Sequence, residues 1–295
     1  MATLTKPEAE LFYKIMNSLI YFANSRFKLV DNFPKSKEGV WMEEDIQKIT
    51  EKIFSKPEII VSFYSENPAM LDKEEIEIVK TWKTFVKGKF MVFTNAGKTI
   101  FFSSENEPKS YEVCGIYDNI LDLIPFEPIM IETILVPSRG KIIYAGYFRL
   151  FNISFGGGYK QGLKADFEKS KLKYGIISSL DLPIEEKKPS EEDTLRFYLK
   201  SKNNREEFWE EIEEILEKNS SLKNVYHNEI GKSYVREVKK TFSDISIKEG
   251  YFAIVNSQVI ASGKSENEVK ERLKEILPED KISSAYIFKY EEKEK

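Results

Sequence analysis

The side chains that most often carry out chemistry are scarce in this sequence. Its 295 residues include one histidine, His227, and one cysteine, Cys114. A serine or cysteine nucleophile needs a base such as imidazole held beside it. His227 lies in Asn224-Val-Tyr-His-Asn-Glu229, with no nucleophile-elbow sequence nearby. It reads as a surface residue where a helix gives way to a loop. Cys114, in Val113-Cys-Gly115, reads as a small core side chain on a strand. Structural zinc takes several Cys and His ligands, and one of each does not make a site. No catalytic residue, metal ligand or cofactor is assigned on this inventory.

Glycines and carboxylates supply the remaining options. Gly156, Gly157 and Gly158 precede a helix-like stretch, and backbone N–H groups at a helix start attract anions. A P-loop also needs Gly-Lys-Ser/Thr as a unit. Here Gly157 and Gly162 have the right spacing, but Leu163-Lys-Ala165 follows, so the lysine is displaced and the Mg²⁺-binding hydroxyl is missing. A plain strand-to-helix turn accounts for the glycines, and close approach of a partner backbone is another use for them. Asp118, Asp122, Glu127 and Glu132 are of the type that holds hard cations, though their spacing does not require them to meet. A Mg²⁺-dependent phosphoester enzyme using the turn at 156–158 is one alternative reading.

Charge is distributed unevenly. Lys and Arg total 45 against 49 Asp and Glu, a net charge of −4, which excludes a uniformly basic nucleic-acid binder but not a local basic face. Residues 78–104 contain no acid and hold Lys80, Lys83, Lys87, Lys89 and Lys98. Residues 133–165 also contain none and hold Arg139, Lys141, Arg149, Lys160 and Lys164. At this acid content a 33-residue stretch should carry roughly five or six acids. Trp82, Phe85, Tyr144, Tyr147, Phe148 and Tyr159 are interleaved with these cations and offer stacking groups. A third cluster is Arg196, Lys200, Lys202 and Arg205, beside Phe197 and Tyr198. Two readings stand: strands poor in acids with aromatics in the core, or a segregated surface for RNA or phosphate.

The elements that would position these groups can be read from periodicity. Leu11, Phe12, Ile15, Leu19, Phe22 and Ala23 form one helical stripe, and Ile46, Ile49 and Ile53 suggest a second helix. Asp72 with Glu75, flanked by Leu71 and Ile76, marks a third helix start, and this helix is expected to run through Trp82 and Phe85 to Gly88. Strands 90–93 and 99–102 flank Asn95-Ala-Gly97 as a hairpin. A strand over 111–117, a short helix over 118–124, and a hairpin of 129–136 with 141–155 follow. A helix over 159–173 then stops at Gly175. Helices over 191–200 and 206–218 come next, the second with Phe208, Ile212, Ile215 and Leu216 inward. The predicted fold is α+β: a helical N-terminal part on a mostly antiparallel sheet, a helical segment, and a small ββαβ C-terminal domain. The expected divisions are 1–180, a charged linker at 181–193, a helical segment at 194–247, and the C-terminal domain at 248–295.

Two stretches resemble known families. Tyr251-Phe-Ala-Ile-Val255, the Asn256-Ser257 turn, Gln258-Val-Ile-Ala-Ser262 and the Ser265–Glu268 capping box resemble a small archaeal module of unknown function. That resemblance implies a ββαβ fold and no activity. Residues 82–90, 132–144 and 155–158 resemble blocks of an uncharacterised prokaryotic family. Lys-, Glu- and Ile-rich composition with three Gln is similar to that of hyperthermophile proteins. In size, two-part layout and composition the whole chain resembles an archaeal ribosome-associated factor of the hibernation or subunit-dimerisation kind. That resemblance implies ribosomal RNA or ribosomal proteins as partners and a homodimer formed through the C-terminal module. A single cysteine, no signal-peptide pattern and no long apolar run predict a cytoplasmic protein without membrane contact. A stress-related protein-interaction module is the remaining alternative.

Overall fold

Thr5 and Glu8 start the first helix, α1 (Lys6–Phe27): the Thr5 N–H and hydroxyl donate to the Glu8 carboxylate at 2.8 and 2.9 Å. The computed structural model describes residues 2–31, 42–104, 107–151, 153 and 155–292. It divides into two units, Met1–Lys187 and Lys188–Lys295. In α1 the stripe Phe12, Ile15, Met16, Leu19, Ile20 and Ala23 is buried, as spacing of three and four residues requires.

Helix α2 (Glu43–Ser55) buries Ile49, Ile53 and Phe54, and a separate helix α3 (Glu58–Glu66) buries Ile59, Ile60 and Phe63. Helix α4 (Lys73–Thr81) begins at the expected capping box: the Glu75 N–H donates to Asp72 at 2.9 Å, and the Asp72 N–H donates to Glu75 at 3.0 Å. Its end differs from expectation. It stops at Thr81 instead of Gly88, in a turn where the Thr84 N–H donates to the Thr81 carbonyl. The chain is already extended at Val86, which pairs with Leu135. A β-branched residue with a cross-strand partner outweighs the helical periodicity there.

Six strands follow: β1 (Val86–Asn95), β2 (Lys98–Ser103), β3 (Lys109–Cys114), β4 (Ile129–Ser138), β5 (Lys141–Tyr144) and β6 (Arg149–Phe151). The β1–β2 turn uses positive φ at Ala96 and Gly97, the conformation of a tight hairpin. Strand pairing runs β1-β2-β3-β5-β4 and returns from β4 to β1, closing a five-stranded barrel. All of these pairs are antiparallel except β3–β5. Strands β5 and β6 lie end to end along one edge of β4, while β1 takes the other edge. Between β3 and β4, the helix expected over 118–124 is only a 3-10 turn, Ile120–Asp122. Pro125 and Pro128 leave no room to extend it.

Alternation sorts the strand residues into two faces. Phe90, Val92, Phe101, Tyr111, Val113, Ile129 and Ile131 face the barrel interior and share one core with α1–α4. Met91, Ile100 and Phe102 face outward and pack under Leu163 and Phe167 of α5 (Gly157–Tyr174). The Phe167 ring meets Phe93 edge-on, with centroids 5.1 Å apart.

The second unit contains α6 (Glu191–Leu199), α7 (Lys202–Glu207), α8 (Trp209–Lys218), α9 (Lys223–Asp244), β7 (Glu249–Val255), β8 (Gln258–Gly263), α10 (Glu266–Ile276) and β9 (Tyr286–Glu291). Strand order is β8-β7-β9, all antiparallel. The helix expected over 206–218 is broken at Phe208 into α7 and α8. Helix α9, 22 residues long, falls inside the helical segment expected over 194–247 but is not among the helices predicted there. Its apolar face moves round the helix: Val225, Tyr226 and Ile230 pack with α6 and α8, whereas Val235, Val238 and Phe242 pack on the sheet. No single stripe therefore marks it. At Gly231, α9 comes so close to β7 that a Cβ would lie 3.0 Å from the Ile254 carbonyl oxygen. Replacing Gly231 by Val should cost about 2 kcal/mol through overpacking, seen as a lower melting temperature of the full chain by calorimetry.

Candidate nucleic-acid interface

Strand register decides which of the cations meet. Residues directly opposite in paired strands project from the same face. Across β1, β4 and β6 one row is Lys89, Glu132 and Arg149, and the next is Met91, Met130 and Phe151. The Phe151 ring is shared by both cations: Lys89 Nζ lies 5.6 Å from its centre and the Arg149 guanidinium carbon 5.4 Å. Each contact of this kind is worth about 0.5–1 kcal/mol at an exposed site. Lys87, two residues before Lys89, projects from the same face of β1. Lys87, Lys89 and Arg149 are exposed, while Glu132 and Phe151 are half-buried. One member of the first acid-free window thus meets one of the second, on an aromatic ring that the sequence reading passed over. Its sequence signal was the alternation Arg149-Leu-Phe151, which puts ring and guanidinium on one side of a strand.

Helix α5 brings two further cations to this outer face. Phe155, just before it, packs with the Met91 cluster and stacks on Tyr159, with centroids 4.5 Å apart. Tyr159 is 44% exposed. Lys160 and Lys164 are exposed one turn apart on the same helix.

The other predicted cations are spent locally. Lys80 pairs with Glu77 at 2.6 Å, and Lys80 and Lys83 both lie 5.9 Å from the Tyr64 ring of α3. Lys98 pairs with Glu112 at 2.6 Å, Arg139 with Glu74 at 3.6 Å and Lys141 with Glu8 at 3.0 Å. In the second unit, Arg196 bridges Glu192 and Glu229, which ties α6 to α9. Lys202 pairs with Glu206 at 3.7 Å, and Arg205 donates to the Leu199 carbonyl at 3.0 Å. Lys200 caps the end of α6. The two windows therefore do not merge whole into one basic face. Only Lys87, Lys89 and Arg149 gather, with Lys160 and Lys164 on the covering helix.

Several expected stacking groups belong to the core. Trp82 is fully buried, its indole N–H without a partner among the described residues, and Phe85 packs edge-on against Phe54. Tyr144 is buried, which pushes its phenol well above the usual range. Tyr147 is raised likewise, by burial and then by the nearby carboxylates of Glu51 and Glu132. Burial also pushes the Cys114 thiol up, leaving a core side chain with little thiolate. His227 is not at a helix end as expected. It lies within α9, its Nδ1 3.0 Å from the Asn256 side-chain oxygen.

The carboxylates do not assemble. Glu127 accepts from the Thr94 N–H at 2.6 Å and from its hydroxyl at 2.9 Å, holding the end of β1. Among the described residues no group of three or more His, Cys, Asp or Glu is placed to hold a metal ion. Among the described residues nothing lies within 4 Å of where a Cβ would sit at Gly156, Gly157 and Gly158, so no close approach by them calls for glycine there.

Comparison with protein-family models, with curated proteins and with solved structures returns no match. The fold is α+β. Among the described residues no helix is long and apolar enough to cross a membrane.

The Lys141–Glu8 contact gives a pH test. The Thr5 backbone N–H, opposed by partial burial and then helped by Lys141, holds the Glu8 carboxyl below its ordinary 4.5. A depressed carboxylate stabilises the fold above the unfolded value, and that gain is lost as pH falls through the folded value. Glu8→Gln should therefore lower the melting temperature at pH 7, with the difference from the parent shrinking as pH drops below 4.5.

Proposed function

We propose that this chain is a non-enzymatic RNA-associated binding factor, with ribosomal RNA as the partner and two copies as the acting form. The observation that carries the reading is the meeting of Lys89 and Arg149 over Phe151, beside Lys87. Cations flanking an accessible ring suit single-stranded nucleic acid: phosphates bind the charges and a base stacks on the ring without sequence readout. Five-stranded Greek-key barrels of the OB type bind oligonucleotides on the face of their second and third strands and on the loops joining strands one to two and four to five, so the cationic face proposed here lies on other strands of a similar barrel. Here α5 packs over the outward residues of β1 and β2, and the cations and ring stand on β1, β4 and β6. The whole chain's net charge of −4 limits indiscriminate adhesion. Edge strand β8 carries no charged residue from Gln258 to Gly263, which suits pairing with the same strand of a second copy.

The full chain should co-sediment with ribosomal particles at low salt and dissociate at high salt. Phe151→Ala should weaken oligouridylate binding by the roughly 1–3 kcal/mol of one stacked base while leaving the salt dependence unchanged. Lys89→Ala with Arg149→Ala should instead reduce the slope of log K against log salt by about 1.4. Fluorescence anisotropy measures both, and parental values in both variants would remove the reading.

A further inference from the structure

Exposed cations also gather in the second unit, on α9, where the linear sequence hides them. Lys232, Arg236, Lys239 and Lys240 are separated by four, three and one residues. At 3.6 residues per turn this spacing places them along one side of the helix, over about 12 Å. All four are exposed. Val235, Val238 and Phe242 point elsewhere, into the core formed with Phe252, Phe288 and Tyr290.

One acid, Glu237, interrupts these cations in sequence, and Glu229 and Asp244 flank them on the same helix. Glu237 lies on a different side of α9, lining a groove with Tyr234, Thr241 and Val259. Glu229 lies 3.9 Å from Lys232, but its side chain is only 16% exposed and is bound by Arg196. Lys239 Nζ sits 5.6 Å from the Phe288 ring, which holds it at the sheet side of the row. Among the described residues Arg236 and Lys240 have no ion-pair partner.

We propose that this side of α9 binds the phosphate backbone of duplex RNA. Four positive charges over about 12 Å, with Glu237 on another side of the helix and Glu229 bound by Arg196, attract a regularly spaced polyanion. The side carries point charges and no ring between them, unlike the Phe151 surface, and so suits backbone contact over base stacking. A lipid surface fits less well, because an interfacial helix must offer an apolar face to the bilayer, and the apolar residues of α9 are consumed by its own sheet and helices. The surface uses none of the first unit's residues, so it stands or falls separately from the single-strand reading.

The test uses the full chain, a blunt RNA duplex, oligouridylate, and vesicles containing phosphatidylserine. Arg236→Glu with Lys240→Glu should weaken duplex binding roughly tenfold or more and reduce its salt slope by about 2, with oligouridylate binding little changed. Arg236→Gln with Lys240→Gln, which removes charge without reversing it, should give a smaller loss at an unchanged melting temperature. Unaltered duplex affinity and slope in both variants would overturn the proposal, as would parental binding to vesicles but not to the duplex. If the Lys89 and Arg149 variants fail to affect oligouridylate while the α9 variants weaken the duplex, only the single-strand reading falls.

Discussion

The first unit depends on β4 being paired along both edges. Its Val86–Leu135 and Val92–Ile129 partners tie it to β1, and its other edge is shared by β5 and β6. This closes the barrel and sets the register of every residue on the outer face. A slip of one residue would turn each side chain to the opposite face, burying Lys89 and exposing Phe90. The same alternation that fills the interior with Phe90, Ile129 and Ile131 therefore presents Lys87, Lys89 and Arg149 outward. Core and cationic surface are two consequences of one hydrogen-bonding pattern.

In the second unit α9 has the comparable role. Its first half completes a small helical core with Leu195, Leu199, Ile212 and Leu222, and its second half covers β7 and β9. Because its apolar side is divided between two neighbours, a third side is free to carry charge. The close approach at Gly231 sets how near the helix can lie to Ile254.

Local signals were legible in the sequence where the interaction is itself local. The Asp72–Glu75 box, the Ala96–Gly97 turn, the Gly175 stop and the Ser265–Glu268 cap of the C-terminal helix all join residues a few positions apart. Interactions between distant residues were not legible. The end of α4 was misread because the partner that makes Val86 a strand residue is Leu135. For the candidate site, the acid-free windows pointed to Lys87, Lys89 and Arg149. They could not show that Lys141 would be met by Glu8, or Arg139 by Glu74, since those acids lie in α1 and α4. Phe151 escaped notice because it gains meaning only from the register that sets it beside Met130.

Glu132, standing between Lys89 and Arg149, shapes how far their field extends. The row's net charge is +1 instead of the +2 of its cations alone, so its potential at a distance is about half as strong and is then further screened by salt. Long-range guidance of an approaching polyanion by this row is correspondingly weak. The attraction grows only at contact distance, where an incoming group can address each cation individually. Encounter there is governed by diffusion and shape, and the residence time by the fit around the ring.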